Sequence, residues 1–535
     1  MTPESPLVEQ GALLDPEAGE PPPPKPSRAP KGLTNRALGG MLWTFSGTGA
    51  QAAVQVLVTM ALGRLLTPAQ FGVMGAAVVV IALSQIVSQI GVGPALVQRK
   101  DLEEMHIRTA FTISGGLGFV LGAALWVGAP ALAAFYRIPE VEPVFRGMAL
   151  LFPIDGLNTV GESLLSRQLR FRLFAAIDLA CYVVGYACIG VILAWQGFGV
   201  WALVAANLSQ VTLRTVAMYL ATRHSVRPGL NRRATKDLLS FGFGHSLAQV
   251  ALVLSQQGDN MVVGRWLGSA ALGIYGRAYS LMVMPATVFG KIVNRVLFPV
   301  MAHVQDERAR LAGAYERALA VVALVSLPVS AALWVVAPEF IPALLGPQWS
   351  AAVLPFRLFT CGLFFRMSSK ITDVCVKAAG AVYSRALIQG IYAALVVVAA
   401  LVGQHWGIGG VAVAVSIAMG INWLMMAGLG RKVTGLSWTR FAGAQAPGLA
   451  LAAVVGAAVA LIVQGTRSTH LGGLAVLIAA GLTSAAVVTA VWWLRPAPLL
   501  GPHGAWASTM AEALVRQAPQ RFRRRPRAGE SGAGS

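Results

Sequence analysis

Charge is what this 535-residue chain has least of. Charged residues make up 12% of it, against roughly 25% in an ordinary soluble domain. The shortage falls mainly on acids, 22 Asp and Glu against 42 Lys and Arg. With 56% hydrophobic residues, that scarcity excludes a soluble enzyme, a disordered chain and a simple nucleic-acid binder. Cysteine is nearly missing too. Cys181, Cys188, Cys361 and Cys375 lie in apolar stretches without metal-type spacing, and they read as small buried hydrophobes rather than disulfides or ligands. No phosphate-cradling GxxxxGK[ST] loop, HExxH, GxSxG or dense His/Cys/carboxylate cluster occurs. Direct ATP drive, zinc hydrolysis and acyl-transfer chemistry are thereby excluded, and neither an enzyme nor a cofactor is expected. Runs of about ten alternating polar and apolar residues are also lacking, so a transmembrane β-barrel is excluded.

What remains is apolar helix. The mean hydropathy is +0.65. A membrane span needs about 20 apolar residues, and fourteen windows meet that length: 38–63, 70–92, 108–134, 143–165, 173–195, 198–221, 238–264, 271–299, 314–337, 350–376, 384–403, 409–429, 440–464 and 472–494. The fold class is therefore an all-α polytopic membrane protein. Fifty-eight glycines suit close helix packing in lipid. Residues 1–36 carry four consecutive prolines (Pro21–Pro24) and several acids, and read as a disordered tail rather than a signal peptide.

Distribution of the basic residues orients the chain. With both termini in the cytoplasm, thirty fall on the cytoplasmic side. Only Arg64, Arg137, Arg265 and Arg467 fall outside. The densest internal loop holds Arg223, Arg227, Arg232, Arg233 and Lys236, between spans six and seven.

A repeat flanks that loop. LGRLLTPAQFGVMG (62–75) matches VGRWLGSAALGIYG (263–276) at six of fourteen positions: Gly63/Gly264, Arg64/Arg265, Leu66/Leu267, Ala69/Ala270, Gly72/Gly273 and Gly75/Gly276. The offset of 201 residues is about six spans, so the two six-helix halves share one orientation, an arrangement suited to a transporter with its site between them. The expected organisation is a tail (1–36), an N-lobe (37–222), a basic linker (223–237), a C-lobe (238–430), two extra spans (431–495) and a basic tail (496–535).

With Arg108, Glu316, Arg317, Arg385 and Arg440, all in the first turn of their windows, counted with the cytoplasmic loops, eight bases fall inside the spans: Arg146, Arg214, Arg277, Lys291, Arg295, Arg357, Arg366 and Lys370. Five acids join them: Asp155, Glu162, Asp178, Asp259 and Asp373. At a lipid-facing helix centre each costs about 2.5–3.5 kcal/mol, so they must pair, snorkel or line a wet cavity. Arg366, Lys370 and Asp373 share one face of span ten at i, i+4 and i+7; Lys291 and Arg295 share one of span eight. Asp155, Asn158, Thr159 and Glu162 form a polar stripe on span four; His245, Gln249, Gln256, Asp259 and Asn260 form another on span seven. A basic cavity lined by Arg214, Arg277, Lys291, Arg295, Arg366 and Lys370 would attract an anion such as a pyrophosphate. Asp155, Glu162, Asp259 and Asp373 are candidates for proton or sodium coupling.

These stretches carry a resemblance. The repeat, GPALVQRKDL (93–102), LLSRQLRFR (164–172), the long run 259–307 beginning DNMVVGRWLG and the run 327–349 beginning LPVSAALWVV are similar to the polysaccharide transporter (Wzx-type flippase) family of the MOP exporter superfamily. The resemblance extends over most of residues 36–430; spans thirteen and fourteen and both tails carry no shared motif. It maps onto Asp259, Gly264, Arg265, Gly268, Gly273, Tyr275, Arg277, Pro285, Arg295 and Pro299. It implies two six-helix lobes in a V around a cationic cavity. It also implies translocation of undecaprenyl-pyrophosphate-linked repeat units across the bacterial inner membrane, with membrane lipids, a polymerase and export machinery as partners and no nucleic acid. The alternatives are a MATE-type small-molecule exporter, a peptidoglycan-precursor flippase and, less well matched by the short outer loops, an integral membrane glycosyltransferase. The basic run Arg521 to Arg527 suits anionic headgroups or topology fixing.

Overall fold

A computed structural model describes residues 51–88, 92–99, 101–232, 234–235, 242–468, 472–494 and 500–501. The expected tails, the start of span one, the side chains of His245 and Gln249, Arg233, Lys236 and the run 521–527 lie outside the described residues or side chains.

Among the described residues the regular structure is helical, with no strand. The first half comprises α1 (Gln51–Leu65), α2 (Pro68–Ser88), α3 (Val92–Gln98), α4 (Glu104–Tyr136), α5 (Val141–Ala149) and α6 (Leu151–Arg167). It continues with α7 (Phe171–Tyr182), a π-helical segment (Val183–Gly190), α8 (Val191–Trp195) and α9 (Val200–Thr222). The second half holds α10 (Gly242–His303), α11 (Arg308–Leu345), α12 (Val353–Ala378), α13 (Val382–Gly403) and α14 (Gly407–Thr434). Then follow α15 (Trp438–Ser468) and α16 (Gly473–Leu494). Among the described residues, seven helical stretches other than α10 are long and apolar enough to cross a membrane. One of the seven, Val382–Thr434, contains both α13 and α14.

Two readings change and one junction is defined. The fourth window is two helices, α5 and α6, meeting at Leu150. Windows seven and eight are two helices, as expected, joined by a sharp reversal at Gly268, whose φ of 86° and ψ of −179° suit glycine; across it Tyr275 comes back to within 2.7 Å of Asp259. Cys181 and Cys375 are buried as expected, but Cys188 and Cys361 are exposed. On a lipid-facing helix an exposed thiol needs no polar partner, so apolar surroundings in the sequence did not mean burial in protein.

The repeat becomes a packing motif. Helices α2 and α10 run against each other. A Cβ on Gly72 would stand 1.7 Å from the Ser269 carbonyl oxygen, and one on Gly273 would stand 1.8 Å from that of Pro68. Residues 68 and 269 are related by the repeat offset, as are 72 and 273, so the contact is reciprocal: each half offers a glycine to the other's backbone. Nearby, the loop after α1 is held by the second half. Trp349 Nε1 and Gln348 Nε2 donate to the Gly63 carbonyl at 2.8 and 2.9 Å, and Arg64 donates to Ala343 O at 2.6 Å. In return, Arg265 lies over Phe135, 5.4 Å from the ring centroid. The two halves are thus closed together at the end poor in basic residues. The last two helices pack on α11 through a satellite core of Val336, Leu451, Val455, Val459, Val463 and Val476.

Candidate functional site

Helix α10 presents a cationic face between the halves. Arg277, Lys291 and Arg295 are fourteen and eighteen residues apart from the first, four and five helical turns, so they share a side. The Arg277 guanidinium sits 4.0 Å from the Phe71 ring centroid on α2. Lys291 and Arg295 are exposed. From α12, the stem of Lys370 runs beside Gly290, where a Cβ would be 3.6 Å from Lys370 Cδ. None of Arg277, Lys291, Arg295 and Lys370 takes part in an ion pair among the described residues.

The other in-span bases are occupied. Arg214 on α9 is held by Glu162 at 3.0 Å and Asp178 at 2.8 Å, with Phe174 5.6 Å away. Arg146 pairs with Glu142 at 2.8 Å, and Arg357 donates to Trp334 O at 3.0 Å. Arg366 donates to the Tyr279 hydroxyl at 2.6 Å and lies over its ring. It belongs to a network inside the second half. There Tyr275 OH donates to Asp259 Oδ2 at 2.7 Å, and the Asn260 N–H to Asp259 Oδ1 at 2.9 Å.

The acids sort likewise. Asp373 is clamped by Lys377 at 2.7 Å and by Arg385. Glu162 takes Arg214 and, at 3.3 Å, Asn158 Nδ2. Asp155 lies within electrostatic reach of Arg214 and Glu162 but joins no ion pair among the described residues.

Across from α10 runs the stripe Phe174, Asp178, Tyr182 and Tyr186, at four-residue steps along α7 and the π segment. Tyr182 and Tyr186 stack, with centroids 5.1 Å apart and planes at 21°. Tyr186 OH accepts from Asn207 Nδ2 at 3.0 Å. Arg277 lies within electrostatic range of Tyr182 and Tyr186, and Lys291 within range of Asp178. The sequence reading missed Tyr182, Tyr186 and Phe71. The four-residue spacing was visible; what it could not show was the helix opposite.

A helical polytopic membrane protein with two repeat-related halves and an unpaired cationic face between them is the class this fold and site define. Residues 61–354 match the family described as polysaccharide biosynthesis protein, and the chain belongs to it. It is 29% identical over 328 residues to teichuronic acid biosynthesis protein TuaB of Bacillus subtilis (strain 168), covering 60% of this chain and 67% of that one. It is 24% identical to lipopolysaccharide biosynthesis protein WzxC of Escherichia coli (strain K12), covering 62% and 67%. Succinoglycan biosynthesis transport protein ExoT of Rhizobium meliloti (strain 1021) is 28% identical, with 58% and 63% covered. Among solved structures, the lipid II flippase MurJ in an inward closed conformation superposes with a TM-score of 0.67 at 13% identity, covering 84% of this chain and 98% of that one. An inward-facing MATE transporter of the MOP superfamily gives 0.58 at 17% identity, covering 74% and 95%. These two likenesses are of fold.

Proposed function

We propose that the protein flips polyprenyl-pyrophosphate-linked oligosaccharide repeat units across the bacterial inner membrane. The basic-loop end faces the cytoplasm, and the action is transport without covalent chemistry. The observation that carries this reading is the set of four unpaired cations, Arg277, Lys291, Arg295 and Lys370. Lys291, Arg295 and Lys370 are exposed and Arg277 is half-buried against Phe71, so this face is accessible and attracts an anionic cargo. Of the six candidate bases, Arg214 is the one from the first half, and it already has two carboxylates. The pyrophosphate is therefore held from the second half, the polyprenyl tail stays in lipid, and the halves rock to expose the cargo to either side. The names of TuaB, WzxC and ExoT, all polysaccharide biosynthesis or transport proteins, support the cargo class. The polymerase and export machinery that would use the flipped units are partners this reading calls for.

Unpaired cations disfavour a small-cation exporter of the MATE type. A peptidoglycan-precursor flippase shares the pyrophosphate chemistry; a viable deletion lacking surface polysaccharide separates the two. The direct test replaces both ammonium groups, Lys291→Gln with Lys370→Gln, in a deletion host. The expected result is at least tenfold less polymer at a normal protein level, with lipid-linked intermediates accumulating by mass spectrometry. Undiminished polymer would overturn the assignment.

A further inference from the structure

The two walls of the inter-half space have opposite chemistry. The α10–α12 wall carries unpaired cations. On the facing wall, Asp155, Glu162 and Asp178 surround the single guanidinium of Arg214, a surplus of negative charge. That wall repels a pyrophosphate, so it has another task. Its remaining groups are aromatic rings, a carboxylate and an amide, the groups that bind sugars: flat faces stack on the C–H face of a pyranose, and carboxylates and amides take up its hydroxyls.

We propose that the α7–π segment stripe of Phe174, Asp178, Tyr182 and Tyr186, with Asn207, is the sugar-reading wall of the transport site, and that it selects a neutral sugar next to the pyrophosphate. This rests on the function proposed above and names its specificity. Three observations build it. First, the four stripe residues are half-buried rather than sealed, so they border space. Second, the π segment sets their register. Four-residue steps drift around an α-helix of 3.6 residues per turn, whereas π turns are wider and drift the other way. The change from α to π at Val183 therefore brings Tyr186 back beneath Tyr182, where their rings stack at 5.1 Å. π segments of this kind are frequent at functional sites. Third, acceptor capacity is left over. Asp178 uses Oδ1 for Arg214, and the buried Oδ1 of Asn207 has no partner among the described residues. Arg277 within electrostatic range of both tyrosines, and Lys291 within range of Asp178, put this stripe on the side of the pyrophosphate-holding face. A hexuronate placed here would meet the surplus carboxylates, so neutral hexoses and N-acetylhexosamines are preferred.

The test uses the purified full chain in proteoliposomes and three probes: sugar-free undecaprenyl pyrophosphate, the same lipid carrying a neutral disaccharide, and the same lipid carrying a disaccharide whose first sugar is a hexuronate. Wild-type protein is expected to flip the neutral cargo at least tenfold faster than the hexuronate. Tyr182→Leu and Tyr186→Ala are expected to lower the ratio of sugared to sugar-free rates at least tenfold, with Tyr182→Phe restoring it. Asp178→Asn, which leaves Arg214 paired with Glu162, is expected to narrow the discrimination against hexuronate. Tyrosine variants with wild-type thermal stability and an unchanged ratio would overturn the proposal, as would a wild type indifferent to the sugar's charge. Wild-type protein that moves none of the three overturns the function on which the wall depends, and the wall with it.

Discussion

Arg214 and Arg277 enter the sequence as two arginines in apolar helices and leave the fold with different fates. Arg214 has two carboxylates within 3.0 Å. Arg277 has an aromatic face at 4.0 Å and no carboxylate pair among the described residues. A guanidinium stacks on a ring without losing its donors, so Arg277 remains available to an anion. The acids diverge in the same way. Asp373 is neutralised twice, Asp259 is held by Tyr275 and the Asn260 amide, and Asp155 is in range of charges but bonded to none. A carboxylate that must gain and lose a cation during a cycle cannot be locked to a resident base. Of the four candidates for ion coupling, Asp155 is thus the one to test first. In proteoliposomes under an imposed pH or sodium gradient, Asp155→Asn should lose the gradient-dependent acceleration, roughly tenfold, while remaining folded. Acceleration equal to the wild type would return the role to Asp259. That thirteen charges lay in the spans was legible from the sequence. Which of them cancel was not, because Arg214 meets Asp178 from 36 residues away and Arg440 meets Glu316 from 124. Periodicity along one helix says nothing about the neighbour.

Among the elements, the glycine repeat was the most informative signal and the π segment the least. Gly72 and Gly273 stood out because they recur at a fixed offset with an arginine and a leucine. The structure gives the reason: each admits the other half's carbonyl where any side chain would collide. Overpacking a buried contact costs roughly 1–3 kcal/mol. Because backbone, not a flexible side chain, is the obstacle here, Gly72→Ala and Gly273→Ala should each sit near the upper end. Each should lower the melting temperature in detergent by several degrees, whereas Gly428→Ala, where no atom lies within 4 Å, should not. A Gly72→Ala protein as stable as the wild type would show that α2 and α10 do not approach so closely. The turn expected between windows seven and eight is present: Gly268, with positive φ, reverses the chain so that Tyr275 packs back against Asp259. The π segment had no sequence signature at all: Val183 to Gly190 is as apolar as its neighbours, and the wider turn is set by packing, with Gly185 and Gly190 against Ala206 and Gln210 of α9.

For the whole molecule, the reciprocal glycine contact and the Gly63 latch lie at one end, while the exposed Lys291 and Arg295 lie toward the other. The structure is thus closed where basic loops are few and presents its cations where they are many. If the basic end is cytoplasmic, this is the state that receives cargo, and release requires the latch to part. Parting breaks the three donor contacts from Arg64, Gln348 and Trp349. Each hydrogen bond contributes about 1 kcal/mol net, a barrier that cargo binding can offset. Holding this end shut should therefore stop transport without harming cargo binding. Arg64→Cys with Ala343→Cys, in a chain whose exposed Cys188 and Cys361 are replaced by alanine, joins the two halves across the latch. A short bifunctional methanethiosulfonate should arrest flipping of the neutral lipid-linked disaccharide in proteoliposomes, and reductant should restore it. The cross-linked protein should still bind the sugar-free pyrophosphate lipid at its exposed cations. Flipping that continues with the latch covalently closed would rule out rocking about this end and require a path that leaves Gly63 and Ala343 together.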